Sequence, residues 1–170
     1  AGFDADGGVV LEVFPKAAPN HVQKFLERIE SNFYVGTTFH RAVPGGIIQG
    51  GDPLTKDPSK RALYGTGGLK ELKFEPNPLP LSKGMVAAVL IPNRKDSGGS
   101  QFFVCVNDQL QLNGQYTVFG RVEEGMEVVS AISFRTTDKE QKLEERVTIQ
   151  KSYLRDRPAP EVIPFIDTPA

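Results

Sequence analysis

Residues 39–52 constrain the fold of this chain more than any other stretch. Pro44-Gly45-Gly46 separates two short apolar runs and Gly50-Gly51 closes the second, which is typical of strand, turn, strand and turn. Side chains alternate across a strand, so Arg41 and Gln49 each share a face with an apolar residue two positions away. The stretch therefore predicts two strands whose faces each carry an apolar and a polar group.

A second stretch, residues 98–106, repeats this pattern. After Gly98-Gly99 the sequence predicts an apolar strand in which Gln101 and Phe103 lie two positions apart and project from the same face. If this strand lies beside the first two, the chain has an apolar floor with Arg41 and two amides at its edge.

The composition excludes several classes of function. The chain has 170 residues, enough for one domain with a single core, and its 20 Lys and Arg against 21 Asp and Glu form no block of like charge. Nucleic acids and membrane surfaces are therefore not expected as partners. The one cysteine, Cys105, lies in an apolar run, so it predicts a buried structural thiol and excludes a disulfide framework.

The sequence leaves the compartment open. No apolar stretch approaches the ~20 residues that span a bilayer, and residues 1–3 do not resemble a signal peptide. The sequence nevertheless starts abruptly before a predicted strand, which is consistent with a removed leader. Both a cytoplasmic and a periplasmic location therefore agree with the sequence.

Short strands dominate the rest of the chain. Residues 1–14 predict a hairpin with Asp6-Gly7 as its turn, and apolar spacing predicts helices at about residues 19–31 and 126–132. Apolar runs predict further strands at residues 85–91, 101–106, 116–122 and 147–153. Without internal repeats, these elements predict a mostly β domain at residues 1–154, an antiparallel barrel capped by two helices, and a Pro-rich tail at residues 155–170.

Residues 53–83 form the longest segment without a regular period. We interpret it as a long ordered excursion, because loops of this length are usually functional or held by their own packing. The cluster Gly65-Thr66-Gly67-Gly68 within it is similar to a phosphate-binding loop. No Gly-Lys-Ser/Thr follows it and no strand-to-helix context surrounds it, so nucleotide binding is not expected.

The titratable residues offer no hydrolytic or metal site. Ser100 does not lie in a Gly-x-Ser-x-Gly motif, and the two histidines, His21 and His40, have no clustered carboxylates. His40 alternates with Arg41 along its strand, and we interpret it as a hydrogen-bonded core residue. We expect no metal and no other cofactor.

Three motifs resemble, in order, those of one known family. They are residues 39–52, the segment Gly99-Ser100-Gln101-Phe102-Phe103, and residues 118–122 followed by Glu124-Gly125-Met126. Together they resemble the cyclophilins, which are peptidyl-prolyl cis-trans isomerases, and the chain looks like a divergent, bacterial-like member. The resemblance implies a closed, antiparallel, eight-stranded β-barrel with a helix over each end and an active groove on its outer wall.

The residues at these positions also suit the reaction of that family on chemical grounds. Rotation about an X-Pro bond has a barrier of ~18–20 kcal/mol and breaks no bond. In the twisted state the prolyl nitrogen is basic, so an N–H of the permanently charged Arg41 stabilises that state more than the planar ground state. A dry apolar pocket for the proline ring completes the requirements.

The resemblance also implies roles for individual residues. Arg41 matches the catalytic arginine of the family, and Gln49 matches the amide that holds it. Gln101 matches an amide that contacts the substrate backbone. The remaining substrate-binding positions, in the proline pocket and at its rim, correspond to Ile47, Val89, Leu90, Phe103, Leu112 and Tyr116.

Four positions, at three places in the sequence, depart from the family pattern. Gly46 stands where most members carry a pocket Phe, Val89-Leu90 replaces an Ala-Asn pair, and Gln111 replaces a rim Trp. Since a buried Phe contributes roughly 1.5–3 kcal/mol and ~1.4 kcal/mol is tenfold in rate, we expect an activity about ten- to a hundred-fold weaker. The missing Trp predicts weak binding of the cyclic peptide cyclosporin.

Two hypotheses of function follow from the sequence. The first is a monomeric isomerase that acts on X-Pro bonds of proline-containing polypeptides and assists protein folding. The alternative is a non-catalytic module that binds proline peptides, and it is motivated by Gly46, Leu90 and Gln111. Exchange between the cis and trans signals of a proline peptide distinguishes the two.

Overall fold

An antiparallel sheet is the framework of the computed structural model, which describes residues 8–156. Its strands are β1 Val10–Val13, β2 Phe39–Val43, β3 Ile47–Gly50, β4 Met85–Ala88, β5 Phe102–Cys105 and β6 Val118–Glu124. Across the sheet they lie in the order β1-β6-β4-β5-β3-β2, and every neighbouring pair is antiparallel. The central strands β4 and β5 are buried along their whole length, which explains why their sequences are continuously apolar.

The mostly β antiparallel fold agrees with the sequence prediction, but the number of strands differs. The described residues contain six strands in one sheet whose edge strands, β1 and β2, do not pair with each other, so the closed eight-stranded barrel stays a prediction. Residues 141–149 instead run along β2 and are joined to it by single bridges at Thr38–Thr148 and Arg41–Lys142. The two bridges lie three positions apart on the β2 side, at Thr38 and Arg41, but six positions apart on the opposite segment, at Lys142 and Thr148. The extra residues of that segment interrupt a regular ladder.

Helix α1, Pro19–Glu30, begins with proline at its first position, as the sequence predicts. Its N-terminal N–H groups receive no side-chain cap from Ala18. The Glu75 carboxylate accepts from the backbone N–H groups of Asn20 and His21, at 3.1 and 2.8 Å, and so satisfies two of the helix's free donors. The buried face of the helix consists of His21, Val22, Phe25, Arg28 and Ile29.

Helix α2, Met126–Ser133, starts immediately after a glycine that no other residue could replace without strain. Gly125 has a φ of +91°, and a Cβ added there would lie 2.2 Å from the Gly8 carbonyl oxygen. The predicted start of this helix is therefore confirmed. The backbone of Gly125 determines it, in addition to the acidic residues Glu123 and Glu124 that precede it.

The two faces of the sheet carry separate apolar clusters. The inner cluster includes Phe102 and Val104 of β5 and packs against both helices. The outer cluster includes Phe103 and Cys105 of β5, together with Met85, Ala87, Val118 and Leu81. Side chains alternate along β5, so neighbouring residues of one strand serve different clusters.

The excursion at residues 53–83 is ordered and follows the outside of the sheet. It contains two 3-10 turns, Pro53–Lys56 and Pro58–Leu63, whose first N–H groups are capped by the carboxylates of Asp52 and Asp57. Leu81, at its end, is fully buried in the outer cluster. The excursion thus becomes one wall of the region that the outer cluster borders.

Part of the sequence prediction falls on residues outside the described range. The predicted turn Asp6-Gly7 and most of the Pro-rich tail, residues 157–170, belong to this part, and the division into a domain and a tail stays a prediction. Between residues 8 and 156, no helix combines the length and the apolar character that a membrane span requires.

Candidate active site

A cleft with a volume of about 420 Å³ lies on the outer face of the sheet. Strands β2, β3 and β5 supply its floor, and the excursion and the segment after β4 supply its walls. The residues that line it are Arg41, Ile47, Gln49, Gly65, Val89, Leu90, Phe103, Leu112 and Tyr116. Polar and apolar groups therefore meet in one concave surface, as is typical of small-ligand sites.

Arg41 is half-buried at the edge of this cleft. Its Nη1 donates to Gln49 Oε1 at 3.0 Å, while its Nε and Nη2 both donate to Gln141 Oε1, at 3.1 and 2.8 Å. Burial lowers the pKa of Arg41 below its ordinary value, although a guanidinium stays protonated at neutral pH. Both oxygens belong to neutral amides, so the guanidinium is held in place and keeps its positive charge.

The amide of Gln49 links Arg41 to a second, deeper amide. Gln49 Nε2 donates to Gln101 Oε1 at 3.0 Å, and Gln101 Nε2 donates to the carbonyl oxygens of Gly65 and Gly67, at 2.9 and 2.7 Å. Gln101 is fully buried. The chain of hydrogen bonds fixes which end of each amide is oxygen, because Gln49 must present its oxygen to Arg41.

Asp52 anchors the glycine-rich loop that Gln101 touches. Its side chain accepts from the N–H groups of Leu54, Gly65 and Gly67, at 2.8, 2.7 and 3.2 Å, and it is fully buried. A Cβ added to Gly67 would lie 2.3 Å from the Asp52 Oδ1 atom, so the close approach requires glycine. This cluster of glycines therefore binds a carboxylate and an amide of its own chain.

Apolar side chains form the rest of the cleft. Phe103 is 4% exposed and meets the Tyr116 ring edge to face, with ring centroids 5.1 Å apart and an angle of 82° between the planes. Ile47, Val89 and Leu112 pack around this pair on the outer cluster. The floor thus offers a rigid apolar surface next to the charge of Arg41.

Comparison with known proteins identifies the family. A family model described as "Cyclophilin type peptidyl-prolyl cis-trans isomerase/CLD" matches residues 3–154, which is most of the chain. The chain belongs to the cyclophilin family. Its activity class is accordingly that of the peptidyl-prolyl cis-trans isomerases, in agreement with the three motifs of its sequence.

Several relatives of this cyclophilin are named peptidyl-prolyl cis-trans isomerases. Peptidyl-prolyl cis-trans isomerase B of Bacillus subtilis is 38% identical over 141 residues, which cover 82% of this chain and 93% of the relative. The human peptidyl-prolyl cis-trans isomerase-like 1 is 33% identical over 147 residues, 86% of each chain. A crystal structure of a Cryptosporidium parvum cyclophilin, solved in the presence of the dipeptide Ala-Pro, matches with a TM-score of 0.79 and 28% identity, over 90% of this chain and 96% of that chain.

Eight of the nine site residues predicted from the sequence line the cleft of this cyclophilin, and Gln101 does not. The resemblance implied that Gln101 contacts the substrate backbone. In the structure the loop at residues 65–67 covers it and accepts its amide hydrogens, so its groups are engaged below the surface. Gln101 therefore supports Gln49 and the loop, and its contact with the substrate backbone stays a prediction.

Two residues at the site were missed by sequence reasoning. Gly65 lines the cleft, although in sequence its glycine cluster resembles only a phosphate-binding loop. Gln141 contacts Arg41 across 100 residues of chain, and it lies in a polar segment that no motif marks. The charged run around it gave no signal of a role.

The departures from the family pattern also have defined places. Gly46 does not line the cleft, and a Cβ added to it would lie 3.1 Å from Cγ1 of Val43, on the same turn. Gln111 lies exposed in the 3-10 turn Leu110–Leu112 and donates to Gln109 Oε1 at 2.9 Å. Leu90 contributes an apolar group to the wall of the cleft.

His40, the neighbour of Arg41, lies in a different environment. It is 4% exposed, and neither ring nitrogen makes a hydrogen bond of ordinary geometry with any described residue. Burial lowers its pKa to about 4, while the charge of Asp52 and a contact with the Thr38 backbone oppose this shift. The predicted core position is correct, whereas within residues 8–156 the predicted hydrogen bond is not formed with ordinary geometry.

Within residues 8–156, no three His, Cys, Asp or Glu side chains lie close enough together to hold an ion. Cys105 is buried, as predicted, and burial raises the pKa of its thiol to about 12, with a further contribution from the charge of Asp108. The cleft itself presents one cation, Arg41, one amide, Gln49, and an apolar floor.

Proposed function

We propose that the cleft accelerates rotation about X-Pro bonds of polypeptides and that Arg41 is the catalytic residue. The observation that carries this proposal is the guanidinium itself. It lies half-buried beside the apolar floor, is held by the amide oxygens of Gln49 and Gln141, and has no carboxylate partner among residues 8–156. A fixed and uncompensated positive charge is the group that this reaction requires.

The reaction makes few demands on a catalyst. The barrier of ~18–20 kcal/mol comes from amide resonance, which is lost when the bond twists and the prolyl nitrogen becomes pyramidal. An N–H of Arg41 directed at this nitrogen stabilises its lone pair, which is available only in the twisted state. Stabilisation is therefore larger in the transition state than in the ground state, and this difference is what lowers the barrier.

The apolar floor seats the proline ring. Phe103, Leu112 and Ile47 offer it a rigid surface, and Tyr116 and Leu90 border it. Burying the ring excludes water from one side of the twisting bond, which strengthens the interaction with Arg41. Gln49 keeps the guanidinium beside the floor, and Gln101 keeps Gln49 in place.

The substrates that fit this cleft are exposed proline segments of other polypeptides. The related Cryptosporidium parvum structure, solved in the presence of Ala-Pro, supports this class of substrate. Uncatalysed isomerisation takes tens to hundreds of seconds, slow enough to limit folding, so acceleration assists protein folding. We further propose a monomer that needs no cofactor and binds neither nucleic acid nor membranes.

The activity proposed here is weaker than that of typical members. The family resemblance implies a pocket Phe at position 46, and lacking its roughly 1.5–3 kcal/mol of apolar contact corresponds to about ten- to a hundred-fold in rate. Glutamine at position 111 also replaces a Trp at the pocket rim, and this loss of apolar surface supports weak cyclosporin binding. A direct comparison of kcat/KM with that of Bacillus subtilis isomerase B tests the weakening, and Gln111→Trp should raise the cyclosporin affinity.

We also propose that the sheet belongs to an eight-stranded barrel closed around the inner cluster. Residues 141–149 support this, because Ile149 N donates to Thr37 O at 2.8 Å and Phe39 N donates to Val147 O at 3.0 Å. Slow hydrogen exchange of the Ile149 amide, comparable to that of β2, is expected. Exchange at the rate of an unstructured peptide would count against closure.

The decisive experiment is NMR exchange spectroscopy on an Ala-Pro peptide. The native protein should increase exchange between the cis and trans signals, and Arg41→Ala should reduce kcat/KM by roughly a hundred- to a thousand-fold. The matched control is Arg135→Ala, which removes an exposed arginine paired with Glu145 and should leave the rate unchanged. Saturable peptide binding without any exchange enhancement would instead establish the non-catalytic module.

A further inference from the structure

The guanidinium of Arg41 has five N–H groups, and the way they are used suggests how it is aimed. Gln141 Oε1 accepts from Nε and Nη2, which form one edge of the planar group, and Gln49 Oε1 accepts from Nη1. Two N–H groups, one on each Nη, meet no acceptor within residues 8–156. Two fixed directions define the plane of the guanidinium, so these remaining donors point along a set direction.

Gln141 supplies two of those three hydrogen bonds, yet it does not line the cleft. Any effect it has on a bound peptide therefore passes through Arg41. Its oxygen is neutral, unlike the carboxylates that usually pair with buried arginine. An acidic side chain at this place would offset the charge that the prolyl nitrogen needs to meet.

The backbone around Gln141 is held in an unfavourable conformation. Its φ is +66°, in the left-handed region that residues with a Cβ rarely adopt. Such conformations persist where the surroundings determine them. Here Gln141 N donates to Asp138 O at 3.1 Å, and Ala42 N, next to Arg41 on β2, donates to Gln141 O at 3.0 Å.

The loop that carries Gln141 is fixed from the other side by Asp138. One oxygen of this carboxylate accepts from the N–H groups of Glu140 and Lys142, at 2.9 and 3.0 Å, and the other accepts from Arg61 Nη2 at 2.8 Å. Arg61 belongs to the excursion and also donates to Leu143 O at 2.7 Å. The strained residue is thus anchored to both β2 and the excursion.

We propose that Gln141 is a positioning residue, which holds the Arg41 guanidinium in the direction that catalysis requires while leaving its charge uncompensated. This inference rests on the proposed function of Arg41. It assigns to a loop residue, 100 positions away in sequence, the orientation of the catalytic cation.

Two near-isosteric variants separate the position of the guanidinium from its charge. Gln141→Met keeps the length of the side chain but removes the acceptor, so Arg41 should lose its orientation. Gln141→Glu keeps the acceptor and adds a negative charge, so Arg41 should stay in place with its charge offset. Each should lower kcat by roughly ten- to a hundred-fold with a much smaller change in KM.

The NMR signal of the Arg41 Nε–H group distinguishes the two variants. In the native protein and in Gln141→Glu this proton should be protected from exchange with water, whereas in Gln141→Met it should exchange rapidly. A merely structural residue would change the unfolding midpoint and leave kcat of the folded protein unaltered. The matched control is Gln23→Met, an exposed glutamine on α1, which should change neither signal nor rate.

A third variant guards against loss of folding. Gln141→Gly suits the left-handed backbone, so it should remain folded with an unchanged or higher unfolding midpoint, and still lose kcat. Native kcat in folded Gln141→Met and Gln141→Gly, with Arg41→Ala inactive, would overturn the role of Gln141 and leave the proposed function standing. Native activity in Arg41→Ala would overturn both.

Discussion

Phe102 and Phe103 are neighbours on β5 with almost the same exposure, 5% and 4%, yet they belong to different regions of the molecule. Phe102 meets three other rings edge to face in the inner cluster, those of Phe25, Tyr34 and Phe39. Phe103 meets the single ring of Tyr116 and forms the floor of the cleft. Burial alone therefore does not locate the site. Other rings of the protein pack around Phe102, whereas Phe103 has the open cleft on one side.

The two faces of the sheet differ in how much space they leave open. Space inside the inner cluster amounts to about 40 Å³ with almost wholly apolar walls, whereas the outer cluster borders a cleft of about 420 Å³ with Arg41 and Gln49 at its edge. Aromatic packing on the inner face stabilises the fold. The outer face leaves its apolar surface incomplete, and a proline ring is the group we propose to complete it.

The largest expected effect comes from breaking the inner face. Phe102→Ala removes a ring from a region where little can move to fill the space, so it should lower the free energy of unfolding by about 3–5 kcal/mol. Phe103→Ala should cost less stability, since solvent can enter its space from the cleft, but it should reduce kcat/KM more. Urea unfolding and the peptide exchange assay measure the two quantities.

The more conservative Phe102→Leu and Phe103→Leu provide a control, because both should fold. If the variants at position 102 and those at position 103 change the free energy of unfolding and kcat/KM in the same ratio, the two faces are not functionally distinct. The comparison drawn from β5 would then be wrong.

His40 lies at the boundary between the two regions, because it follows Phe39 of the inner cluster and precedes Arg41 of the cleft on β2. Burial lowers its pKa from 6.5 to about 4, so the unfolded state takes up a proton near pH 6.5 that the native state takes up only near pH 4. The neutral His40 imidazole therefore makes its full contribution to the free energy of unfolding above pH 6.5. This contribution should decline by about 3 kcal/mol as the pH falls from 6.5 to 4.

The variant His40→Met isolates this contribution from the titration of carboxylates. Unfolding curves of the native protein and the variant, measured by urea from pH 7.5 to 4, should diverge below pH 6.5 and run parallel above it. Parallel curves over the whole range would mean that the imidazole is hydrated or hydrogen-bonded in solution. Its environment would then resemble that of Arg41 more than that of the inner cluster.

The smallest expected effect concerns Cys105, which reports on the outer cluster. Because burial raises the pKa of its thiol to about 12, the native protein should react negligibly with a thiol reagent at pH 8, and fully after unfolding in urea. The matched inner-face probe is Val104→Cys combined with Cys105→Ala. Faster labelling of Cys105 than of this probe would show that the outer face opens before the whole protein unfolds.

Local patterns predicted most of the elements that the structure contains. Helix α1 follows from Pro19 and the apolar spacing of Val22, Phe25 and Ile29, and the predicted end differs by one residue. Four of the residues that line the cleft, Arg41, Ile47, Gln49 and Phe103, lie in two of the motifs that the resemblance matched. Both results depend on neighbours in sequence, which is the information that periodicity and motifs contain.

The features that could not be predicted depend on contacts between distant segments. Gln101 donates to the loop at residues 65–67, and nothing in the sequence of either segment signals that they meet. The strand expected near residues 147–153 forms only isolated bridges, because the register on β2 is interrupted. Glu75 caps helix α1 from 54 residues away, an arrangement that the helix sequence does not contain.

The hydrogen bonds of Arg41 also have a consequence for the synthesis of the protein. Gln49 leaves the ribosome shortly after Arg41, but Gln101 follows 52 residues after Gln49, and Gln141 emerges 100 residues after Arg41. A nascent chain therefore lacks an oriented guanidinium until nearly the whole domain has been translated. Its own Arg41 therefore cannot act on prolyl bonds during most of its synthesis.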